Sequence, residues 1–254
     1  MPQVSSHQPG TFCWFELGTS DGKAAKKFYT SVFGWKANEV PMEENSPPYV
    51  LLQKGGKDAG ALYQMPETQK GVPPFWMIYV AVKSADETAK KAKKLGGKVE
   101  KEPFDVFDLG RMAVLTDPQE AVFALWQAGK NPGVSVMNEA NSVCWSELQT
   151  SDTEAAKKFY TSLFGWGAKA GGEYTEWQIG KESMGGLVKN PAPNTPPHWM
   201  IYFAVDDCDA TTKKVQSLGG PVYVKPKEME NVGRFSVVAD PQRAMFALIK
   251  LFSA

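Results

Sequence analysis

The amino-acid sequence is built from two similar halves. Residues 13–35, CWFELGTSDGKAAKKFYTSVFGW, return 131 residues later as CWSELQTSDTEAAKKFYTSLFGW. The segments PPFWMIYVAV and DPQEAVFAL return as PPHWMIYFAV and DPQRAMFAL, each 123 residues later. A repeat of this length is a whole domain rather than one unit of a solenoid. It predicts a tandem duplication whose halves dock like the two subunits of a homodimer.

We expect the first domain at residues 8–128, a linker at 129–138 and the second domain at 139–252. The linker region contains Gly, Pro, Ser and Asn, which are typical of a connection between folded units. The change in offset from 131 to 123 residues places a longer loop in the first half, between Trp35 and Pro73. At 254 residues, the chain is long enough to build a core in each domain.

Composition and charge argue against several kinds of partner. Lys plus Arg and Asp plus Glu both number 28, so no net basic field attracts nucleic acid or an anionic membrane. The apolar run at residues 75–82 is far shorter than the ~20 residues of a membrane span. Three cysteines and a start without secretory-signal features indicate a cytoplasmic protein. We expect a monomer with an internal pseudo-dimer, whose partner is a small molecule.

One helix in each half is evident from the spacing of its apolar residues. They recur at intervals of three and four over residues 25–32 and again over residues 156–163. Asp21 and Asp152 stand where an N-cap residue is needed. This pattern predicts a short helix after the opening strand of each half.

A second helix in each half is predicted at about residues 85–95 and 208–218, each closed by Leu-Gly-Gly. Strand-like runs lie between the helices, with turns predicted at Gly55-Gly56 and Gly185-Gly186. This order of elements favours an α+β fold, with the helices on one face of a sheet.

Strand alternation separates two faces of each sheet. In the opening strand, Trp14 and Glu16 share one face, and Trp145 and Glu147 repeat them. This face combines aromatic rings, methionines and a carboxylate, as the lining of a small-molecule cavity does. The predicted ligand-binding residues are Trp14, Glu16, Gln53, Met77, Tyr79 and Trp126 in the first half, and Trp145, Glu147, Gln178, His198, Met200 and Tyr202 in the second.

The two glutamates are the candidates for chemistry. An enclosed carboxyl group has a raised pKa, and Glu16 or Glu147 could act as a general base or bind a polar ligand group. Alternatively, each pairs with an arginine, such as Arg111 or Arg234. His198 replaces Phe75 of the first half and is either a solvated residue at a strand start or a base. No catalytic residue is assigned at this point.

The order of motifs resembles a known superfamily. A strand, Asp, a helix with FYxxxFGW, a second helix ending in LGG, and Gly-Arg five residues before Asp-Pro are similar to the glyoxalase, bleomycin-resistance and extradiol-dioxygenase proteins. These form the vicinal oxygen chelate (VOC) superfamily, and the closest resemblance is to its two-domain, glyoxalase-like members labelled as hydroxylases. The resemblance implies tandem VOC domains, each of two βαβββ modules that form an incomplete β-barrel with the helices outside.

Metal-dependent members of this superfamily carry metal ligands at four positions in a domain. The resemblance places these residues at those positions, in the first and second half respectively: Trp14 and Trp145, Met77 and Met200, Ala124 and Ala247, and the neighbourhoods of Ala61 and Gly186. None of these side chains offers the nitrogen or oxygen donors that Zn, Ni, Mn or Fe requires. We therefore predict no metal site and no cofactor.

The predicted function is metal-independent binding of a small apolar or aromatic metabolite or antibiotic by a protein like the glyoxalase and bleomycin-resistance family. The alternative is an enzyme, either a glyoxalase-like lyase or a hydroxylase or dioxygenase, that acts on a small metabolite. A third interpretation is that one half keeps a pocket while the other has become a scaffold. The sequence leaves these three open.

Overall fold

The computed structural model describes residues 6–42, 46–191 and 195–252. The first half contains β1 (Phe12–Thr19), α1 (Gly22–Phe33), β2 (Lys36–Val40), β3 (Tyr49–Lys54), β4 (Lys57–Gln64), β5 (Phe75–Ala81), α2 (Ala85–Lys94), β6 (Lys98–Val106), β7 (Gly110–Thr116) and β8 (Val122–Ala128). The second half contains β9 (Ser142–Thr150), α3 (Thr153–Phe164), β10 (Gly167–Gly171), β11 (Tyr174–Ile179), β12 (Glu182–Lys189), β13 (His198–Ala204), α4 (Cys208–Ser217), β14 (Val222–Met229), β15 (Gly233–Ala239) and β16 (Met245–Leu251). The predicted α+β class and the repeated βαβββ module are confirmed.

Each half forms one eight-stranded sheet. The strand order is β2-β3-β4-β1-β5-β8-β7-β6 in the first half and β10-β11-β12-β9-β13-β16-β15-β14 in the second. The two modules of a half join where β1 pairs with β5 and β9 pairs with β13, both antiparallel. The sheet therefore curves around the face of β1 that carries Trp14 and Glu16, with β2 and β6 as its edges, which gives an incomplete barrel.

The helix that follows the opening strand forms for the expected reasons. The Asp21 side chain accepts a hydrogen bond from the backbone N–H of Ala24 at 2.9 Å, and Gly34 ends α1 in the left-handed conformation. Its buried face includes Phe28 and Tyr29, as the spacing predicts. None of the helices in the described ranges is long and apolar enough to cross a membrane.

The two halves contact each other through these same helices, in a reciprocal manner. The Tyr29 hydroxyl on α1 donates to Asp240 Oδ2 at 3.1 Å, and the Tyr160 hydroxyl on α3 donates to Asp117 Oδ2 at 3.2 Å. All four side chains are buried. The two aspartates thus bond across the interface between the halves. This symmetry supports the predicted internal pseudo-dimer.

The tryptophan after each of these helices adds a second reciprocal contact. Trp35 Nε1 donates to the carbonyl oxygen of Asn141, and Trp166 Nε1 donates to that of Gly10, both at 2.8 Å. Gly10 and Asn141 each lie shortly before the opening strand of the other half and both have a positive φ. The tryptophan of each FGW motif therefore anchors the segment just before the opening strand of the opposite half.

The turn predicted at Gly185-Gly186 is wrong. Both glycines lie inside β12, and the turn falls at Gly180-Lys181 instead. A β-carbon at Gly185 would lie 2.6 Å from the carbonyl oxygen of Ser146. Glycine is needed here because another strand's backbone approaches closely. In the sequence, a glycine pair of this kind cannot be told from the glycine pair of a turn.

Candidate functional site

The first half encloses a cavity of about 1030 Å³ on the face of the sheet that carries Trp14 and Glu16. Four of its other lining residues are Met77 and Tyr79 on β5, Met112 on β7 and Trp126 on β8. Five of the six predicted first-half site residues therefore line one cavity. Its volume is at the upper end of the range of about 300–1,000 Å³ for small-molecule sites.

Glu16 is held by two tyrosines at the wall of this cavity. The Tyr49 hydroxyl donates to Glu16 Oε1 at 2.5 Å, and the Tyr79 hydroxyl donates to Glu16 Oε2 at 2.8 Å. Trp14 Nε1 donates in turn to the Tyr49 oxygen at 3.2 Å. Three side chains from β1, β3 and β5 thus fix the orientation of one carboxyl group.

Burial dominates the electrostatics of this group. Removal from water raises the pKa of Glu16, and the hydrogen bonds from Tyr49 and Tyr79 oppose that rise only in part. Burial and the adjacent carboxylate raise the pKa of Tyr49 and Tyr79 well above the usual range, so both phenols remain donors. The arrangement can accept or release a proton at Glu16, and it can hold a polar atom of a ligand.

Two tryptophans contribute apolar surface to the lining of the cavity. The side chain of Trp14 is 6% exposed and that of Trp126 is 7% exposed. Trp126 Nε1 donates to the carbonyl oxygen of Asn131 at 2.9 Å. The rings of Trp126 and Tyr79 meet edge to face with their centroids 6.5 Å apart, within the range of about 4.5–7 Å that is usual for such pairs. Flat ring faces fixed in this way suit a flat apolar ligand.

Gln53 is placed differently from the other predicted residues of the first half. The pairing of β3 with β4 changes register between Leu52 and Gln53, so strict alternation no longer holds there. Gln53 Nε2 donates to Asp58 Oδ1 at 2.8 Å, and Asp58 itself lines the cavity. A direct ligand contact by Gln53 stays a prediction.

Sequence reasoning missed Tyr49. The repeat carries the signal that could have found it, because Tyr49 and Tyr174 each stand four residues before the glutamine singled out in their half. Tyr174 fills the corresponding role in the second half, where its oxygen accepts a hydrogen bond from Trp145 Nε1 at 2.8 Å.

Glu147 has a more polar environment than Glu16. Its Oε1 atom accepts from the Tyr202 hydroxyl at 3.1 Å and from Gln149 Nε2 at 2.9 Å. Burial raises the pKa of Glu147, and its hydrogen-bond partners oppose the rise. Gln149 stands where the first half has Gly18, beside which the Tyr63 hydroxyl and the Phe75 ring lie.

On the corresponding face of the second half, several side chains of the sheet pack against one another. Met200, Tyr202, Ala247 and Ile249 form a buried cluster, against which Trp145 packs. The Tyr174 hydroxyl lies against Gly186, where a β-carbon would be only 1.8 Å from its oxygen. The residues predicted to bind a ligand here largely contact one another.

The two remaining second-half residues lie near the ends of their strands. Gln178 Nε2 donates to Ser183 Oγ at 3.3 Å. His198 Nδ1 lies 2.9 Å from the carbonyl oxygen of Pro196, while its Nε2 is buried without a partner among the described residues. Ligand contact by either residue stays a prediction.

Neither arginine pairs with a candidate glutamate. Arg111 binds Asp86 through Nε at 2.8 Å and Asp105 through Nη1 at 2.9 Å. Arg234 bonds Asp209 in the corresponding way. These arginines anchor a helix start to the sheet, and no lysine or arginine within the described residues forms a salt bridge with Glu16 or Glu147.

The residues at the superfamily's metal positions do not fit a metal ion. Trp14 uses its indole N–H to donate to Tyr49, and Met77 and Ala124 provide no nitrogen or oxygen side-chain donor. Across residues 6–42, 46–191 and 195–252, no group of three His, Cys, Asp or Glu side chains could hold a metal ion. We derive no chemical step through a metal.

Comparison with known proteins agrees with this fold. The model of the Glyoxalase/Bleomycin resistance protein/Dioxygenase superfamily matches residues 11–125 and 137–248. The chain belongs to this superfamily and contains two of its domains.

Similar proteins are found in Mycobacterium and Streptomyces, and similar structures include a glyoxalase and a dioxygenase. The chain is 39% identical over 256 residues to "Putative glyoxylase CFP32" of Mycobacterium tuberculosis, covering 98% of both chains. It is 35% identical over 260 residues to the anthracycline biosynthesis protein DnrV of Streptomyces peucetius, covering 96% of this chain and 94% of that protein. The Mn(II)-bound glyoxalase of Novosphingobium aromaticivorans shares the fold with a TM-score of 0.68 at 15% identity, covering 96% of this chain and 82% of that one. The 2,3-dioxygenase LapB of Pseudomonas sp. KL28 has a TM-score of 0.64 at 11% identity, covering 96% and 93%.

Proposed function

We propose that the first half of this protein binds a flat, neutral, multi-ring aromatic compound without the help of a metal ion. The observation that carries the proposal is the cavity of about 1030 Å³ lined by Trp14 and Trp126, with Glu16 also in its lining. Burial of flat rings against these tryptophans supplies most of the affinity. Glu16, Tyr49 and Tyr79 supply a hydrogen bond that orients a polar atom of the ligand.

The size and charge of the cavity wall support this class of ligand. A cavity of about 1030 Å³ has room for several fused rings. Because burial raises the pKa of Glu16, the protonated, neutral form of this carboxyl group is favoured. A neutral ligand suits this site, since it places no charge beside the carboxyl group. The relatives from Streptomyces, which are named as anthracycline biosynthesis proteins, are consistent with a polycyclic aromatic ligand.

The proposal is tested with anthraquinone, a flat three-ring diketone, in a thermal-shift titration. We expect a saturable rise in melting temperature that Trp14→Ala weakens roughly tenfold, because one ring wall is lost. The matched variant Trp145→Ala removes the corresponding ring of the second half and should leave the response to the probe unchanged. Equal loss in both variants, or no rise for any flat aromatic probe, would refute the assignment to the first half.

A second candidate function is acid–base catalysis at Glu16. It is favoured by the carboxyl group held between two phenols, since a raised pKa suits proton transfer near neutral pH. We would assay the hemithioacetal of methylglyoxal and glutathione, and a catechol. Turnover that Glu16→Gln abolishes and Glu147→Gln retains would establish this function; turnover of neither compound would leave binding as the activity.

We also propose that the protein acts as a cytoplasmic monomer with domains at residues 8–128 and 139–252. Three free cysteines and equal numbers of acidic and basic residues support this setting. Size-exclusion chromatography with light scattering should give the mass of a single chain, and fractionation should place the protein with soluble cytoplasmic markers.

A further inference from the structure

A second cavity, of about 330 Å³, lies between the N-terminal segment of the chain and the second half. Its lining residues are all different from those of the first-half cavity. They include Asn138 from the connection between the halves, Cys144 and Ser146 from β9, and Ser183 and Met184 from β12. The function proposed above makes no use of this space.

One polar group in this cavity lacks a partner. Ser146 is 1% exposed, and its Oγ atom has no hydrogen bond within the described part of the chain. The corresponding residue of the first half is Phe15, so a bulky side chain has been replaced by a small polar one. A buried hydroxyl without a partner costs free energy, which a bound polar group would recover.

In the first half, the corresponding place is filled by the chain itself. The backbone N–H of Val134 donates to the carbonyl oxygen of Cys13 at 2.8 Å, and the N–H of Ser135 donates to that of Asp58 at 2.8 Å. Val134 is fully buried. A short peptide segment thus closes this side of the first domain through backbone hydrogen bonds.

Two further contacts define that segment. His7 Nε2 lies 2.9 Å from the carbonyl oxygen of Val134. A β-carbon at Gly133 would lie 2.4 Å from the carbonyl oxygen of Cys13, and Gly133 has φ of +122°. Only glycine fits immediately before the buried valine.

The internal repeat supplies an equivalent for each contact. Cys144 corresponds to Cys13 and Asn138 to His7, both 131 residues later, and Ser183 is the second residue of β12 as Asp58 is of β4. All three equivalents line the second cavity. Within the described ranges, no backbone N–H from outside the sheet donates to the carbonyl oxygens of Cys144 and Ser183.

We propose that this cavity is a docking site for a short peptide segment of a partner protein, in which glycine precedes a small aliphatic residue. Two successive N–H groups of that segment donate to the carbonyl oxygens of Cys144 and Ser183. The side-chain amide of Asn138 bonds the carbonyl of the aliphatic residue, and the Ser146 hydroxyl gains the partner that it lacks. Recognition therefore rests mainly on backbone hydrogen bonds, with glycine selected by close approach.

The test uses the full chain and a peptide with blocked ends, Asn-Pro-Gly-Val-Ser-Val, which copies residues 131–136. Methionine methyl groups labelled with carbon-13 report where it binds. We expect saturable shifts at Met137 and Met184, which line this cavity, and none at Met77 and Met112, which line the other. Single Met→Leu variants assign the signals.

Two matched changes examine the chemistry of the contact. A peptide carrying Gly133→Val should bind at least roughly tenfold more weakly, because the added side chain meets a carbonyl oxygen. Ser146→Phe restores the first-half residue and should abolish binding by filling the cavity. Because Phe12 packs nearby and could make that variant unstable, Ser146→Ala serves as a second one, with weaker peptide binding and native methyl spectra expected.

Several results would overturn the proposal. These are the absence of saturable shifts at millimolar peptide, shifts confined to Met77 and Met112, or equal binding of the Gly133→Val peptide. Shifts at Met184 caused by anthraquinone and not by the peptide would make the cavity a small-molecule site instead. A dimer in sedimentation that closes the cavity without peptide would make a second copy of the chain its occupant.

Discussion

At the scale of single residues, the distinctive feature is the half-buried carboxyl group of Glu16, which has no salt bridge to a cation within the described ranges. Glu16 is bonded by Tyr49 and Tyr79, whereas Arg111 and Arg234 are bonded to aspartates. Phenol donors orient the carboxyl group and offset only part of its cost of desolvation. Such a group is retained at a cost in stability, which is typical of a functional site.

This cost predicts how stability changes with pH. In the unfolded chain, Glu16 has its ordinary pKa of 4.5, and burial raises the value in the folded protein. The folded state therefore holds the proton more tightly, and the contribution of Glu16 is lost as pH rises from about 4.5 through the folded pKa. Urea unfolding should show that the free energy of unfolding of the wild-type protein declines across this pH range. The decline should be smaller in the Glu16→Gln variant, which lacks the titrating group.

A surface substitution provides the control for this prediction. Glu230 is exposed in the turn after β14, so Glu230→Gln should keep the wild-type dependence on pH. If Glu16→Gln and Glu230→Gln gave the same profile, Glu16 would have an ordinary pKa and the site would lack its proposed electrostatics.

The sequence predicts which face of the sheet a side chain lies on wherever the strand alternates regularly between its two faces. Trp14, Glu16, Met77 and Tyr79 lie on β1 and β5, where period-two alternation decides which face a side chain takes. Gln53 could not be placed in this way, because the register shift in β3 depends on pairing with β4. Pairing between strands far apart in the sequence is a tertiary property.

At the scale of elements, the turn between β6 and β7 contributes two exposed apolar residues to the lining of the first cavity. Phe107 has φ of 49°, a left-handed conformation that is uncommon for an aromatic residue, and it is 80% exposed. Leu109 in the same turn is also exposed, and both residues line the cavity. A strained, exposed ring at the entrance of an apolar cavity is suited to cover a bound ligand.

We predict that Phe107→Gly weakens binding of anthraquinone and leaves the fold nearly as stable. Glycine relieves the left-handed strain at position 107, which stabilises the fold by about 1 kcal/mol. It also loses more conformational entropy on folding, which costs about 1 kcal/mol, so the two effects nearly cancel. Binding is measured by the thermal-shift titration and stability by urea. The matched variant Asn231→Gly changes the corresponding turn of the second half, and equal effects on binding from the two variants would contradict this role.

The elements themselves were largely predictable from the sequence, and one turn was not. Capping aspartates and apolar spacing mark α1 and α3 through local chemistry. The pair Gly185-Gly186 is ambiguous, because glycine serves both turns and close approach of a backbone or ring. The approach of Gly185 to the carbonyl oxygen of Ser146, and of the Tyr174 hydroxyl to Gly186, distinguishes the two uses.

At the scale of the whole molecule, the two halves behave as subunits joined by one chain. Each FYxxxFGW helix bonds to the opposite half, through Tyr29 with Asp240 and through Tyr160 with Asp117. The repeat alone predicts docking of the halves, but it does not identify which surfaces meet. That information lies in buried hydrogen bonds between residues distant in sequence.

We predict that Tyr160→Phe lowers the free energy of unfolding by about 1 kcal/mol or more, because Asp117 keeps a buried oxygen without its donor. Tyr29→Phe should cost a similar amount, by the symmetry of the interface. Tyr223→Phe is the matched control, since Tyr223 is 51% exposed on β14. If Tyr160→Phe were no more destabilising than the control, the bond across the interface would contribute nothing measurable.

The central claim is that the first half, and not the second, holds a flat aromatic ligand without a metal ion. A crystal structure of the protein grown with anthraquinone tests it most directly. We expect electron density for the three rings in the cavity lined by Trp14 and Trp126, with a carbonyl oxygen within hydrogen-bond distance of Glu16 or Tyr79. Density only in the second half, a ligand bound through a metal ion, or an empty first cavity at saturating probe would contradict the account.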